Sequence, residues 1–336
     1  KVHFVLNTLI KDSEFSQAVE LVKLVYALGA DTIIVQDLGL AQYIIANFPG
    51  IDVHASTQMT THNLDGVLKL QDLGFKRAIL SRELSLREIE YICSKSNIEI
   101  ETFVHGALCI SYSGQCLFSS IVGGRSGNRG RCAQPCRLAY KLIEETNNSD
   151  KTIDLDKGYL LSPRDLCGLN YIPELIDANV TSLKIEGRMK SPEYVATVTR
   201  IYRKYIDLAY SGKNYIVKDE DVKELMQAFN RGGFSSGNFE NEPNTTYVYK
   251  EKPNNIGVYS GNVSHYDNKK GLITFITSSN FKIGDKYKIG DDDYVYTVSE
   301  LMKNGKNISK ALPDSIITIG RAKGKIKPGD KIYKIT

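Results

Sequence analysis

The chain has 336 residues, 42% of them apolar, with 43 Lys and Arg against 39 Asp and Glu and a formal net charge of +4. That is long enough for two domains, one with a sizeable core, and the mild charge does not by itself announce nucleic acid. No apolar run approaches the roughly 18 residues needed to cross a bilayer, and six cysteines in a chain with its own core read as reduced thiols, not as the framework of a small secreted domain.

No signal peptide opens the chain, so the expected compartment is the cytoplasm. Lys1 leads directly into a strand-like run at 2–6, and this abrupt start predicts a natural N-terminus further upstream. Phe15, Val19, Val22 and Tyr26 then recur at helical spacing, with Gly29 as the stop. A strand at 32–35 ends in Gln36 and Asp37, and a helix through Ile44 and Ile45 follows. Strand 53–55 ends in Ser56, Thr57 and Gln58, before a helix at 64–73. Strand 77–80 ends in Arg82 and Glu83. Ser85 and Glu88 have capping-box spacing and predict a helix to Cys93. Strand 98–104 ends in His105 and Gly106.

Beyond the next loop, Ser162-Pro-Arg-Asp165 predicts a helix over 166–176. Strand 180–186 ends in Gly187 and Arg188, and Ser191-Pro192-Glu193 starts a helix reaching about Tyr210. Repeated strand–helix units imply parallel strands with helical crossovers. Six strands with polar residues gathered at their ends suit a (β/α) TIM-type barrel lacking its first two β/α units in this chain. A doubly wound open sheet is the competing architecture. The expected domains are a barrel at 1–214, a helical and Gly/Asn-rich linker at 215–252, and a small all-β barrel at 253–336, where Gly-Asp turns separate short strands.

Chemistry concentrates between Glu101 and Glu144, which bound a stretch with no acidic residue and four of the six cysteines. Glycine and serine dominate between those cysteines, so the backbone can bend around a bound group. Arg125, Arg129, Arg131, Arg137 and Lys141 stand there unopposed, as either a solvated basic face or an anion site. Such surroundings predict deprotonated thiols able to hold a metal. Six residues separate Cys109 from Cys116, fifteen follow to Cys132, three to Cys136 and thirty to Cys167. No pair has zinc-ribbon or ferredoxin spacing. Four thiols on one loop still suit an iron–sulfur cluster, with zinc or plain buried cysteines as alternatives. Cys109, Cys116 and Cys132 lead; Cys136 is preferred as the fourth, with Cys167 its substitute because 167 is expected near the start of a helix. Cys93 reads as core.

His105, at a strand end four residues before Cys109, is a candidate proton carrier. Lys184 and Glu186 alternate on one strand face and make either a buried ion pair or an acid–base pair. His54 reads as structural. Zinc-protease, nucleophile-elbow, Walker and dinucleotide motifs are not found.

Three blocks carry a resemblance: FVHGALCISYSGQC at 103–116, RGRCAQPCR at 129–137 and SLKIEGRMK at 182–190. Together they resemble the collagenase-like peptidase family of unclassified catalytic type, over residues 1 to about 210. That resemblance implies an oxygen-independent hydroxylase. Bacterial members make 5-hydroxyuridine in tRNA or 5-hydroxycytidine in 23S rRNA with prephenate as donor, and relatives carry a [4Fe–4S] cluster on four cysteines. It further implies the cluster at Cys109, Cys116, Cys132 and Cys136, with Cys167 the alternative fourth ligand.

For this substrate chemistry Arg82 and Arg188 are expected to meet the prephenate carboxylates, with Lys184 in support, and His105 or Glu186 to move the proton. Arg129 and Arg137 are expected to join in binding substrate, and Tyr112, Phe118 or Tyr140 to stack on an extruded base. The rival readings are a peptidase, after the family label, and a non-catalytic iron–sulfur protein that binds RNA.

Overall fold

The structure, a computed structural model, describes residues 1–145, 152–240, 247–290 and 294–336. Residues 241–246 of the expected Gly/Asn-rich linker therefore lie outside the described residues. The chain forms two compact units. One comprises Lys1–Glu186, Tyr205–Tyr215 and Phe234–Pro253, the other Gly187–Lys204, Ile216–Gly233 and Asn254–Thr336.

The first unit opens with alternating strands and helices: β1 (His3–Leu6), α1 (Asp12–Ala27), β2 (Thr32–Val35), α2 (Leu38–Asn47) and β3 (Asp52–Ala55). They continue through α3 (Leu64–Asp72), β4 (Arg77–Ile79), α4 (Leu86–Lys95) and β5 (Glu99–Ala107). Two of the expected helix starts show their anchors directly. Asp37 accepts from Leu40 N at 2.9 Å. Ser85 and Glu88 form the predicted capping box, the Glu88 carboxylate accepting from Ser85 N at 2.8 Å. All four residues of β2 are buried, as expected of a strand covered on both faces.

Strands β1 to β5 pair in parallel and in sequence order. A doubly wound sheet needs a reversal of that order, so the unit is a mixed α/β fold with a half-barrel sheet.

The sequence reading departs from the structure beyond β5. The predicted helix over 166–176 is instead strand β8 (Asp165–Cys167), followed by α6 (Ile172–Asp177); between β5 and β8 lie α5 (Phe118–Gly123) and the hairpin β6 (Tyr140–Glu145) and β7 (Thr152–Gly158). Strand β8 runs antiparallel to the extended end of β5, His105 opposite Cys167. Strand β9 (Ser182–Ile185) pairs in parallel with β5. After α7 (Pro192–Tyr210) and α8 (Asp219–Ala228), β10 (Phe234–Ser235) joins β8. Cys167 therefore lies in a strand, not at a helix start.

The second unit holds α8, the first part of α7 and an antiparallel sheet of eight strands from residues 258–335. Its core includes Phe275, Phe281, Tyr287, Ile317 and Ile332, all under 1% exposed. The sheet is continuous through a strand bulged at Tyr259/Gly261 and Val263/His265, the device by which sheets bend. Among the described residues no helix is long and apolar enough to cross a membrane.

Candidate functional site: the cysteine loop at the strand ends

The residues that close β1 to β4 are tied to one another. Asn7 Nδ2 donates to Ser56 Oγ at 3.1 Å, Gln36 Nε2 to Gln58 O at 3.1 Å, and Thr57 Oγ1 to Leu80 O at 3.1 Å. On this rim the loop after β5 is seated through Ser113. Its N–H and hydroxyl both donate to Glu83 Oε1, at 2.9 and 3.1 Å. Its hydroxyl also accepts from Arg82 N at 3.2 Å, and its carbonyl from Thr60 Oγ1 at 2.8 Å. The next residue must be glycine: Gly114 has φ +77°, and an added Cβ would stand 2.3 Å from Gln58 O. At the end of β5, Gly106 (φ +107°) allows equally close approach, since a Cβ there would meet Glu186 O at 2.6 Å.

The loop is buckled at its other end by Arg137. Its Nη1 donates to Ser162 Oγ at 2.8 Å and to the Pro163 carbonyl, and its Nη2 to Leu108 O at 3.0 Å. Leu108 precedes Cys109 and Arg137 follows Cys136, so one guanidinium holds the backbones of two cysteines together. Arg129 binds Glu14 of α1 and donates to Leu9 O at 2.7 Å. The structure thus places both arginines in internal contacts that fix the loop.

Cys109 and Cys132 are exposed, and Cys116, Cys136 and Cys167 are half-buried. Among the described residues no three His, Cys, Asp or Glu side chains converge as they would on a single ion. The four loop thiols nevertheless lie within electrostatic range of one another. Burial pushes the Cys136 thiol up; Arg137 opposes this, and the charges of Cys109, Cys132 and Cys116 add to it. The Cys109 thiol is also raised, by crowding of the loop first, with Cys116 and Cys132 contributing. Arg82 and Arg137 act in the opposite sense on these two thiols, lowering Cys109 and Cys136 respectively. A metal would have to displace their protons.

Beneath the loop, Arg82 lies with its guanidinium carbon 3.9 Å from the centre of the Phe103 ring and its Nη2 3.3 Å from Glu186 Oε2. Lys184 does not pair with Glu186. Its Nζ is 2.9 Å from Glu101 Oε1, while Glu101 Oε2 accepts from Arg77 at 2.8 Å and Arg77 also holds Glu99 at 2.7 Å. This is an ion-pair chain of four charges, Lys184, Glu101, Arg77 and Glu99, with Glu101 the most buried. His105 is 1% exposed, its ring edge-on to Phe234 at 5.4 Å. Arg188 is exposed in the loop after β9. His54, 2% exposed and edge-on to His3, has its pKa lowered to about 4 by burial and then by Arg77, as a structural histidine should.

Several site residues escaped the sequence reading. Tyr247 Oη donates to Cys109 O at 3.4 Å; burial, and then the charges of Glu83 and Cys109, push its pKa up to about 12. Asn238 Nδ2 donates to Arg82 O at 3.1 Å. Glu83 was noted only as a strand-end carboxylate; its second oxygen is buried without a hydrogen-bond partner among the described residues. Of the aromatic candidates, Phe118 and Tyr140 pack on each other at 6.2 Å, and Tyr112 is 63% exposed.

Three curated relatives are similar to this chain in sequence. An uncharacterized protease of Methanocaldococcus jannaschii is 34% identical over 99% of this chain and 84% of its own length. The 23S rRNA 5-hydroxycytidine C2501 synthase of Escherichia coli is 33% identical over 100% of this chain and 47% of its own length. The tRNA hydroxylation protein P1 of Bacillus subtilis is 33% identical over 85% of this chain and 70% of its own length. The chain thus spans about half of the rRNA enzyme. The pattern that defines Peptidase family U32 matches residues 1–248, and the chain belongs to that family.

Proposed function

We propose that this chain is an oxygen-independent RNA hydroxylase. It adds a hydroxyl to a pyrimidine base, forming 5-hydroxycytidine in rRNA or 5-hydroxyuridine in tRNA, with prephenate as donor and a [4Fe–4S] cluster on Cys109, Cys116, Cys132 and Cys136. The observation that carries this reading is the collection of those four thiols on a loop with no acidic residue between Glu101 and Glu144, where Arg137, next to Cys136, holds the carbonyl of Leu108, next to Cys109. These four thiols would hold the cluster through their sulfurs. Cys136 is favoured over Cys167, which sits in β8 opposite His105 and beside Tyr215. The names of the rRNA and tRNA relatives support the reaction class. On this reading the half-barrel belongs to a (β/α) barrel and the protein works in the cytoplasm.

When bound, the cluster supplies iron that can accept an oxygen ligand or an electron. The chain's own residues do the rest. Arg82, stacked on Phe103 and held at 3.3 Å by Glu186, can exchange that carboxylate for one of prephenate's, in a charge-assisted pair. Glu186, released, becomes a proton acceptor beside the substrate, with buried His105 in the neighbouring strand. Lys184, neutralised by Glu101, keeps the floor of the site rigid. Arg188 is exposed and belongs to the second unit. Tyr112 is the side chain available for stacking on a base.

Incubating the anaerobically purified chain with rRNA and tRNA fragments, with and without prephenate, tests the proposal. Mass spectrometry should find one added oxygen on a pyrimidine only when prephenate is present; no added oxygen on either RNA refutes it. The protease name of the archaeal relative favours one rival, peptide hydrolysis. Cleavage of a collagen-derived peptide that a single substitution abolishes would put that reading in its place.

A further inference from the structure

The positive charge of the chain lies towards its C-terminal end. Residues 254–336 hold 14 Lys and Arg against 8 Asp and Glu, which leaves 29 against 31 in residues 1–253. Part of that surplus is gathered at one place in the second unit. The turn between the strands Val258–Asp267 and Leu272–Thr277 presents Lys269 and Lys270, both exposed. The segment after the strand Ser315–Ile319 presents Arg321, Lys323, Lys325 and Lys327, exposed likewise. The two segments are locked together. Ala322 N donates to Gly271 O at 3.0 Å, and a Cβ on Gly271, at φ +68°, would stand 2.7 Å from Ala322 O. Tyr266 Oη donates to that same carbonyl at 3.1 Å, and Tyr296 Oη to Lys323 O at 2.7 Å. Ala322 is buried and Ile326 packs against the core of the unit. The apolar residues of the segment therefore turn inward and the cationic ones outward, on a backbone already fixed.

The carboxylates nearby do not cancel this charge. Glu300 takes Arg321 at 3.4 Å. Asp267 Oδ1 accepts from the backbone N–H of Lys269 and of Lys270, at 3.0 and 3.1 Å, and Asp330 Oδ2 from that of Lys327 at 2.8 Å. Each of these two aspartates shapes its own turn. Among the described residues none of Lys269, Lys270, Lys323, Lys325 and Lys327 has a carboxylate partner.

We propose that these joined segments hold the sugar–phosphate backbone of the RNA, without regard to its sequence. Lysine ammonium groups bind phosphate as point charges, and contacts to phosphate position an RNA without reading its bases. Protein interfaces are instead depleted in lysine and centred on apolar or aromatic side chains. Membrane-surface segments need an apolar face to bury. The exposed side chains of these segments supply neither. The proposal rests on the reading that RNA is the substrate, and adds to it a contact in the second unit that needs no cluster.

Fluorescence anisotropy of a labelled tRNA titrated with the whole chain, over a range of salt, is the test. Lys323→Ala/Lys325→Ala and Lys269→Ala/Lys270→Ala should each weaken binding about 10-fold at about 0.1 M salt. Each should also flatten the plot of log affinity against log salt by about 1.5, close to one phosphate contact per lysine. A single-stranded RNA of unrelated sequence should show the same losses. Lys69→Ala/Lys95→Ala, exposed on α3 and α4 of the first unit, removes as much charge and should leave both quantities at the wild-type level. All six side chains are on the surface, so circular dichroism should show every variant folded. No tRNA binding, binding indifferent to the first two variants, or an equal loss in the third, which would reduce the effect to net charge, overturns the proposal. So does binding to phosphatidylserine vesicles that the first two variants abolish while tRNA binding stands, which would assign the segments to a membrane. Added oxygen on the RNA is read with every sample. RNA hydroxylated by a chain whose binding ignores these lysines overturns this contact alone. A tRNA held through them by a chain that never hydroxylates it overturns the hydroxylase reading alone.

Discussion

Replacing Glu101 by Gln removes the one charge that faces both Lys184 and Arg77. The Glu101 side chain is 6% exposed, with Lys184 Nζ at 2.9 Å and Arg77 Nη1 at 2.8 Å. Breaking a buried pair from one side costs about 3–5 kcal/mol, because the remaining charge stays buried. Here Arg77 keeps Glu99 at 2.7 Å and Lys184 is partly exposed, so the low end, about 3 kcal/mol at pH 7, is expected. Burial alone would raise the Glu101 carboxyl; Lys184, and then Arg77 and Ser182, hold it below its usual range. A carboxyl with a depressed folded pKa stabilises above its unfolded value, near pH 4.3, and that contribution is lost as pH falls through the folded value. Urea unfolding followed by circular dichroism at pH 7 and at pH 3 measures both effects. Wild type should exceed Glu101→Gln by about 3 kcal/mol at pH 7, with the gap closing in acid. A difference below about 0.5 kcal/mol at pH 7, the size of an ordinary surface change, would refute the claim that this network holds the strands.

Three further outcomes follow from the same structure. The His54 ring should stay neutral until about pH 4 in a proton NMR titration. Because the unfolded chain takes up that proton near pH 6.5, stability should fall by about 3 kcal/mol as pH drops from 6.5 to 4; a His54 titrating at 6.5 contradicts this. Gly114→Ala, which sets a Cβ against Gln58 O at φ +77°, should lower stability by at least about 1 kcal/mol in thermal unfolding and loosen the loop to proteolysis; an unchanged melting curve shows that the loop is not seated there. Cys136→Ser and Arg137→Ala should both lower iron retention after anaerobic reconstitution, while Cys167→Ser leaves it at the wild-type level. The reverse ranking of Cys136 and Cys167 would move the fourth ligand to β8.

The sequence was legible where short-range physics decides. The apolar repeat of α1, the Ser85–Glu88 capping box and the buried run of β2 each needed only a few neighbouring residues. Strand β8 was not legible, because Ser162-Pro-Arg-Asp165 has the composition of a helix start. Three residues of strand there exist because the far end of β5 and the distant β10 supply partners. Two-residue β10 carries no periodic signal at all. The cysteines could be picked out by composition, but the roles of Arg129 and Arg137 could not: the sequence shows a positive charge and conceals Glu14, 115 positions away. Tyr247 and Asn238 come from a stretch whose Gly/Asn-rich composition reads as linker. The same blindness covers Lys184, in β9, and Glu186, just past its end, which answer to different partners.

Iron and acid-labile sulfide assay of the anaerobically purified chain, with its visible absorption spectrum, tests the central claim most directly. About four irons and four sulfides per chain, with a broad brown absorption lost in the Cys109, Cys116, Cys132 and Cys136 serine variants, is the predicted result. A colourless chain that stays iron-free after reconstitution, or one whose iron survives removal of any two of those thiols, contradicts it.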